Sequence, residues 1–241
     1  MNINKFDILK DYCEWGWRLL PVHPKEKRPL IKKWTENASC DLTLVEQWAN
    51  HGYKWANWGV LCGQSSGLIV IDLDKAKTKT ENEIDGDIGL PQLEAELGTL
   101  PKTITQTTPS GGRHYFFKAP TDRVIKVEKG IRFFEGIAID VLSEGRQVLI
   151  SPSRRDDGDY EWIHSPWDTP LAELPQAWIE RLSRKRHTSS TKKDTVISLS
   201  TVSQDPFTLP DEIGNGERND TLSKYACSLL AKGESHDRVR E

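Results

Sequence analysis

Leu68-Ile69-Val70-Ile71-Asp72-Leu73-Asp74 is an apolar run that closes on two acids. A short apolar run of this kind reads as a buried strand. Side chains two apart on a strand point to the same face. Asp72 and Asp74 are therefore expected side by side at a strand's end. Left unpaired, two such carboxylates repel each other. A divalent cation resolves the repulsion, and oxygen ligands favour Mg2+ or Mn2+. The run predicts metal-assisted phosphoryl chemistry.

Upstream, residues 4–15 read as a short helix with Phe6, Leu9 and Cys13 on one face. Residues 17–22 and 57–61 read as strands. Thr43-Leu44-Val45-Glu46 has the spacing of a capping box and predicts a helix that carries Trp48. Downstream, residues 75–89 are polar, charged and glycine-containing, which predicts a mobile loop. Residues 90–97 fit a short helix stopped by Gly98 and Pro101. Strand-like stretches follow at 103–107, 114–118, 137–142 and 147–150, and residues 174–182 read as a helix. Early helices followed by several strands predict an α+β fold, a mainly antiparallel sheet core flanked by helices.

The C-terminal quarter changes character. Residues 183–206 are rich in Ser, Thr and Lys and read as a linker. Beyond them, Asn219 or Asp220 would cap a helix carrying Leu222, Tyr225, Ala226, Leu229 and Leu230. Gly233 would end it, and Ser235 would cap another. A helix pair that small cannot bury a core alone, so it is expected to be part of a longer helical region. The expected organisation is one domain over 1–182, a linker over 183–206 and a small C-terminal helical segment over 207–241.

Bulk properties narrow the class. The chain has 241 residues, 36% hydrophobic and 29% charged, a soluble globular balance. It has no apolar run of about 18 residues, so no membrane partner is expected. Residues 1–7 lack the apolar core of a signal peptide, and a cytoplasmic location is expected. Cys13, Cys40, Cys62 and Cys227 are scattered without a C-x-x-C pair, which predicts reduced thiols and no zinc site. A net charge of −3 argues against a nucleic-acid partner on bulk grounds. The charge is patchy, however. Lys25, Lys27, Arg28, Lys32 and Lys33 cluster, as do Arg181, Arg184, Lys185 and Arg186. Acids that hold metals lower the net charge without removing a basic groove.

Three further segments carry chemistry. In Thr108-Pro109-Ser110-Gly111-Gly112-Arg113-His114, two glycines let a backbone approach an anion closely, and their N–H groups can bind phosphate oxygens. Ser110 adds a hydroxyl, and His114 opens a strand from which it could donate to a phosphate or sugar oxygen. In Gly136-Ile137-Ala138-Ile139-Asp140-Val141-Leu142, Asp140 is an acid inside an apolar strand, costly to bury unless paired or metal-bound. Gly145 to Arg154 reads as a strand leading into a turn with Ser151, Ser153 and Arg154, a shape that can bind a triphosphate or be only a turn.

A strand-borne D-x-D, a Ser-Gly-Gly-x-His turn and a third strand-borne Asp, in this order, resemble the primase–polymerase (Prim-Pol) family of the archaeo-eukaryotic primase superfamily. The resemblance extends upstream to Gly16-Trp17-Arg18-Leu19-Leu20-Pro21-Val22 with Lys27-Arg28-Pro29 and Trp34, and to Asn57-Trp58-Gly59-Val60-Leu61-Cys62-Gly63. Leu100-Pro101-Lys102-Thr103 also fits, and the match spans roughly residues 10–165. Residues 214–233 are similar to the helical primase C-terminal module that often follows. In two places the chain departs from similar sequences. Arg146 follows Gly145 where they often continue with glycine, and Ser151 replaces the first proline of a Pro-Pro-Ser turn.

The resemblance implies an RRM-like catalytic core and a DNA primase/polymerase, a nucleotidyltransferase that makes or extends primers on single-stranded DNA. It implies Mg2+ or Mn2+ held by Asp72, Asp74 and Asp140 as metal-binding and catalytic acids. It implies NTP or dNTP substrates contacted by Ser110, Gly111, Gly112, Arg113, His114, Ser151 and Ser153. Lys27, Arg28, Lys32, Lys33 and Arg154 are candidates for DNA or phosphate contacts, and Trp34, Trp55 and Trp58 for base stacking. It also suggests replication of a mobile element or virus, with a helicase in the same or another chain. A non-catalytic replication-initiator module is the alternative. A sugar-nucleotide glycosyltransferase leaves Ser110, His114 and Asp140 unexplained together, and a metal nuclease needs no triphosphate-binding turn.

Overall fold

A computed structural model describes residues 5–76, 83–127, 134 and 136–183. The expectations for 77–82, for the basic residues Arg184, Lys185 and Arg186, and for the C-terminal helices lie outside the described residues, as does the linker beyond Ser183. The first half of the chain forms α1 (Lys5–Glu14), β1 (Leu19–Val22), α2 (Trp34–Asn37), α3 (Leu42–Gln47), a π-helical turn (Trp48–Gly52), β2 (Asn57–Leu61), β3 (Leu68–Leu73), β4 (Ile84–Asp85) and α4 (Gly86–Leu97). The second half forms β5 (Thr105–Thr107), β6 (Arg113–Lys118), β7 (Ile137–Leu142), β8 (Gln147–Leu149), β9 (Arg154–Arg155), β10 (Gly158–Asp159), β11 (Glu161–His164), β12 (Ala172–Glu173) and α5 (Gln176–Ser183).

The large sheet runs β11-β5-β6-β3-β7-β4, with β12 beside β6, and a small sheet runs β1-β2-β8. Its pairs are antiparallel except the two short ones, β4 with β7 and β12 with β6. The expected α+β fold with a mainly antiparallel core is the observed one. β3 lies between β6 and β7, paired along both edges.

Alternation along β3 separates two cores. Leu68 and Val70 point to one face, where they pack with Phe116, Ile104, Trp58, Val60 and the apolar side of α1, Leu9 and Tyr12. Ile69, Ile71 and Leu73 point to the other, where they meet Phe117, Ile139, Val141, Leu93 and Leu97 of α4, and Trp178 and Leu182 of α5. Burial on both faces is what makes the run continuously apolar. Asp72 has the parity of Leu68 and Val70, so it falls on the α1 face, at the end of that strip.

Local chemistry corrects two sequence expectations. The cap of α3 is Asp41, whose Oδ1 accepts the Leu44 N–H at 3.0 Å, and not Thr43. The α-helix ends at Gln47, so Trp48 opens the π-helical turn. The polar stretch 75–89 is not all loop either. It contains β4, and α4 begins at Gly86, four residues before the expected start, and runs through Pro91. Its glycines reflect close packing. A Cβ on Gly86 would stand 2.8 Å from the Ala138 carbonyl oxygen and 2.9 Å from Leu73 Cα. A Cβ on Gly89 would run into the Ile137 side chain. Glycine here marks a helix pressed onto a sheet.

The turn after β8 ties the small sheet together. Ser153 is buried, its Oγ accepting the Trp58 N–H at 2.9 Å and donating to the Trp58 carbonyl at 3.0 Å. The Asn57 amide bonds the backbone N–H and C=O of Arg154 in the same way.

Two expected outcomes follow from these contacts. Ser153→Ala strands the buried N–H of Trp58, whose carbonyl keeps the Ile150 N–H at 3.0 Å, and lowers unfolding free energy by about 1–3 kcal/mol in denaturant titrations. Gly86→Ala forces α4 off the sheet and costs roughly 1–3 kcal/mol, whereas alanine at Gly52, whose added Cβ meets nothing within 4 Å, stays within about 0.5 kcal/mol of the parent.

Candidate active site

The antiparallel register places one polar row across four strands of the large sheet. Gln106 of β5 pairs with His114 of β6, His114 with Asp72 of β3, and Asp72 with Asp140 of β7. Directly opposite residues in an antiparallel pair share a face. The row therefore continues the apolar strip of Val70, Phe116 and Leu142 on the same face, one pleat along.

The row becomes more accessible from β5 towards β7. Gln106 is fully buried and His114 is buried, while Asp72 and Asp140 are half-buried. The Gln106 Nε2 lies 2.7 Å from His114 Nδ1. His114 Nε2 lies 3.4 Å from Asp72 Oδ1. That contact is within ion-pair range and longer than an ordinary hydrogen bond. Asp72 Oδ1 is buried and has no hydrogen-bond partner among the described residues. Tyr160 packs its ring 5.9 Å from the His114 ring. Burial above all pushes the Tyr160 phenol up to about 12, with Arg155 opposing and the Asp72 charge adding, so the phenol stays protonated at neutral pH.

Asp74 follows the last residue of β3 and is half-buried. Its N–H donates to the Ala138 carbonyl at 2.8 Å, so it continues the ladder along β7 with the parity of Asp72. Among the described residues, no three His, Cys, Asp or Glu side chains are gathered as a metal-holding group. The donor chemistry still suits a hard divalent cation. Two carboxylates face each other across strands, and one of their oxygens is buried without a donor.

The Ser-Gly-Gly turn joins β5 to β6. Its glycines serve the hairpin first. Gly111 has φ +81°, which glycine adopts without strain, and its N–H donates to the Thr108 carbonyl at 2.9 Å. The Gly112 N–H donates to Thr108 Oγ1 at 3.1 Å. A Cβ on Gly112 would collide with the Leu73 carbonyl oxygen. The close approach expected of this glycine is to the next strand, and both N–H groups expected to bind phosphate are committed to Thr108. Ser110 is exposed at the tip, its Oγ 3.1 Å from Thr108 Oγ1.

On the rim, Lys75 Nζ lies 3.2 Å from Asp85 and 3.3 Å from Asp87, and Arg113 lies 3.2 Å from Asp87. Asp85 and Asp87 hold Lys75 protonated, raising its pKa. Sequence reading missed Lys75 and both acids because they lie in a stretch that reads as loop.

Other candidates sit apart from the row. The Ser153 hydroxyl is committed to the Trp58 backbone. Ser151 contributes backbone instead, its N–H to Gln106 Oε1 at 3.2 Å and its carbonyl to the Tyr12 hydroxyl at 2.8 Å. Arg154 is exposed and chelated by Asp159 at 2.6 and 2.8 Å. Lys27, Arg28, Lys32 and Lys33 are exposed, with Arg28 on Glu26 at 2.9 Å and Lys33 3.8 Å from Glu36. Of the stacking candidates, Trp58 is wholly buried, Trp34 packs on the core beside Leu20 and Val22, and Trp55 is exposed.

Gln106 was also missed. The expected strands 103–107 and 114–118 set 107 opposite 114, whereas β6 begins at Arg113 and so brings 106 to 114. No helix among the described residues is long and apolar enough to cross a membrane. No curated protein matches the chain. Residues 9–177 match the family described as bifunctional DNA primase/polymerase, N-terminal. The match spans the small sheet, the large sheet and the polar row, and the chain belongs to that family of DNA primase/polymerase domains.

Proposed function

We propose that this chain catalyses template-directed nucleotidyl transfer on single-stranded DNA, with NTPs or dNTPs as substrates. The observation that carries the reading is the facing pair Asp72 and Asp140, with Asp72 Oδ1 buried and lacking a hydrogen-bond donor among the described residues. A folded protein keeps like charges opposite one another at a net cost, so the pair calls for a cation when it works. Asp72, Asp140 and Asp74 would hold Mg2+ or Mn2+. When bound, such ions neutralise charge on phosphate oxygens and make an attacking hydroxyl more acidic.

The chain's own groups supply the rest. His114, buried beside Asp72, would offer an N–H to an anionic phosphate oxygen. Lys75 and Arg113 place positive charge on the rim, and Ser110 presents a hydroxyl at the hairpin tip. Of the three stacking candidates, Trp55, exposed 5.8 Å from the His23 ring, would stack on a base. Lys27, Arg28, Lys32, Lys33 and Arg154 would follow the template's phosphates. In this reading 1–182 form the catalytic domain, 183–206 a linker and 207–241 a helical primase C-terminal segment. The proposal extends to a helicase in the same or another chain and to replication of a mobile element or virus.

The test is nucleotide incorporation on single-stranded DNA, with and without a primer, under Mg2+ and under Mn2+. Asp72→Asn is expected to lower incorporation at least about a hundredfold, a loss of roughly 2.7 kcal/mol of transition-state stabilisation. The same variant should match or exceed the parent in unfolding free energy, by up to about 1 kcal/mol, because a like-charge pair has been relieved. DNA binding without incorporation under either metal would replace this reading with the initiator-module one.

A further inference from the structure

We propose that Gln106 is a positioning residue that holds the His114 imidazole as its Nε2–H tautomer, turning the neutral ring's single N–H toward Asp72 as a donor for the anionic substrate. The donor role rests on the nucleotidyl-transfer reading, whereas the tautomer is set by hydrogen bonding alone.

The orientation of the Gln106 amide is fixed by two backbone groups. Its Oε1 accepts the Ser151 N–H at 3.2 Å, and its Nε2 donates to the Leu149 carbonyl at 2.7 Å. A carbonyl oxygen only accepts and a backbone N–H only donates. Turning the amide round would set oxygen against oxygen and NH2 against N–H. The residue is fully buried, so water cannot substitute for either partner.

The second hydrogen of that NH2 meets His114 Nδ1 at 2.7 Å. A donor at that distance requires a lone pair on Nδ1. The proton of the neutral ring is therefore on Nε2, which is the nitrogen turned to Asp72. Phe116 and Tyr160, with ring centroids at 6.3 and 5.9 Å, hold the imidazole plane. Leu149 lies in β8 of the small sheet, so the small sheet, through one amide, decides which hydrogen bond the large sheet offers to substrate.

The proposal is tested by long-range 1H–15N correlation spectra of the 15N-labelled full chain. The chain has six histidines, and His114→Gln identifies the signals of interest. The parent is expected to show His114 with a protonated Nε2 and a bare Nδ1. In Gln106→Glu the carboxylate accepts instead, so the proton moves to Nδ1 and the nucleotide KM rises about tenfold. In Gln106→Leu, which keeps the volume and removes the donor, the two tautomers mix. A proton on Nδ1 in the parent, alone or together with Nε2, overturns the proposal. So does an unmixed Nε2–H tautomer in a folded Gln106→Leu. A parent with the expected tautomer that incorporates no nucleotide leaves the positioning role standing and removes the nucleotidyl-transfer reading.

Discussion

The register of β3 between β6 and β7 is the constraint on which the site depends. Asp72 stands opposite His114 on one side and Asp140 on the other. A slip of one residue in either pairing would carry every side chain of that strand to the opposite face. The slip is prevented by burial on both faces, not by the polar row itself. Val70 against Phe116 and Leu142, and Ile71 against Tyr115 and Val141, lock the pairing one step before the acids begin. The apolar half of the strand thus holds its charged end in place.

Glycine gives this arrangement its compactness at the sheet's end. Gly112 passes against the Leu73 carbonyl and Gly86 against the Leu73 backbone, so the hairpin and the start of α4 both close on the residue after Asp72. The hairpin tip and the helix start bring Ser110, Arg113, Asp85 and Asp87 around one strand terminus. Lys75 joins them through its two carboxylate contacts. Strand ends, the hairpin tip and the first turn of α4 carry the charged rim, while the paired strands carry the row.

Much of this was legible in the sequence because it is local. The apolar run, its parity and the acid inside residues 137–142 need only a period of two, and the structure keeps all three. What was illegible depends on partners distant in sequence. Nothing local says that Ser153 clasps Trp58, 95 residues away, or that Gln106 reaches Leu149, 43 residues away. Gly86 and Gly89 looked like loop residues because a glycine chosen for close packing is spelled the same as one chosen for a turn. Trp58 looked available for stacking, and only the fold shows it wholly buried in the core that also holds Leu9 and Tyr12. The two glycines of the hairpin read as phosphate-binding, whereas the fold shows their N–H groups serving Thr108, a contact the sequence does not announce.

Charge also reads differently once paired. A net charge of −3 is an odd endowment for a chain of a DNA-handling family. Yet many of its exposed cations lean on an acid: Arg28 on Glu26, Lys33 on Glu36, Arg154 on Asp159, Lys75 on Asp85 and Asp87. Exposed pairs of this kind contribute little, because water and salt screen them. A phosphate, by contrast, releases counterions when a cation meets it and gives a binding term that several contacts add up. Exchanging a local carboxylate for a phosphate therefore costs the protein little. In the proposed reading the acids would keep the nucleic-acid-free surface from repelling itself and would let go when a polyanion arrives. On this view the acidic balance of the chain is compatible with a basic track, because the bulk charge counts the acids and the track's partners do not hold them tightly.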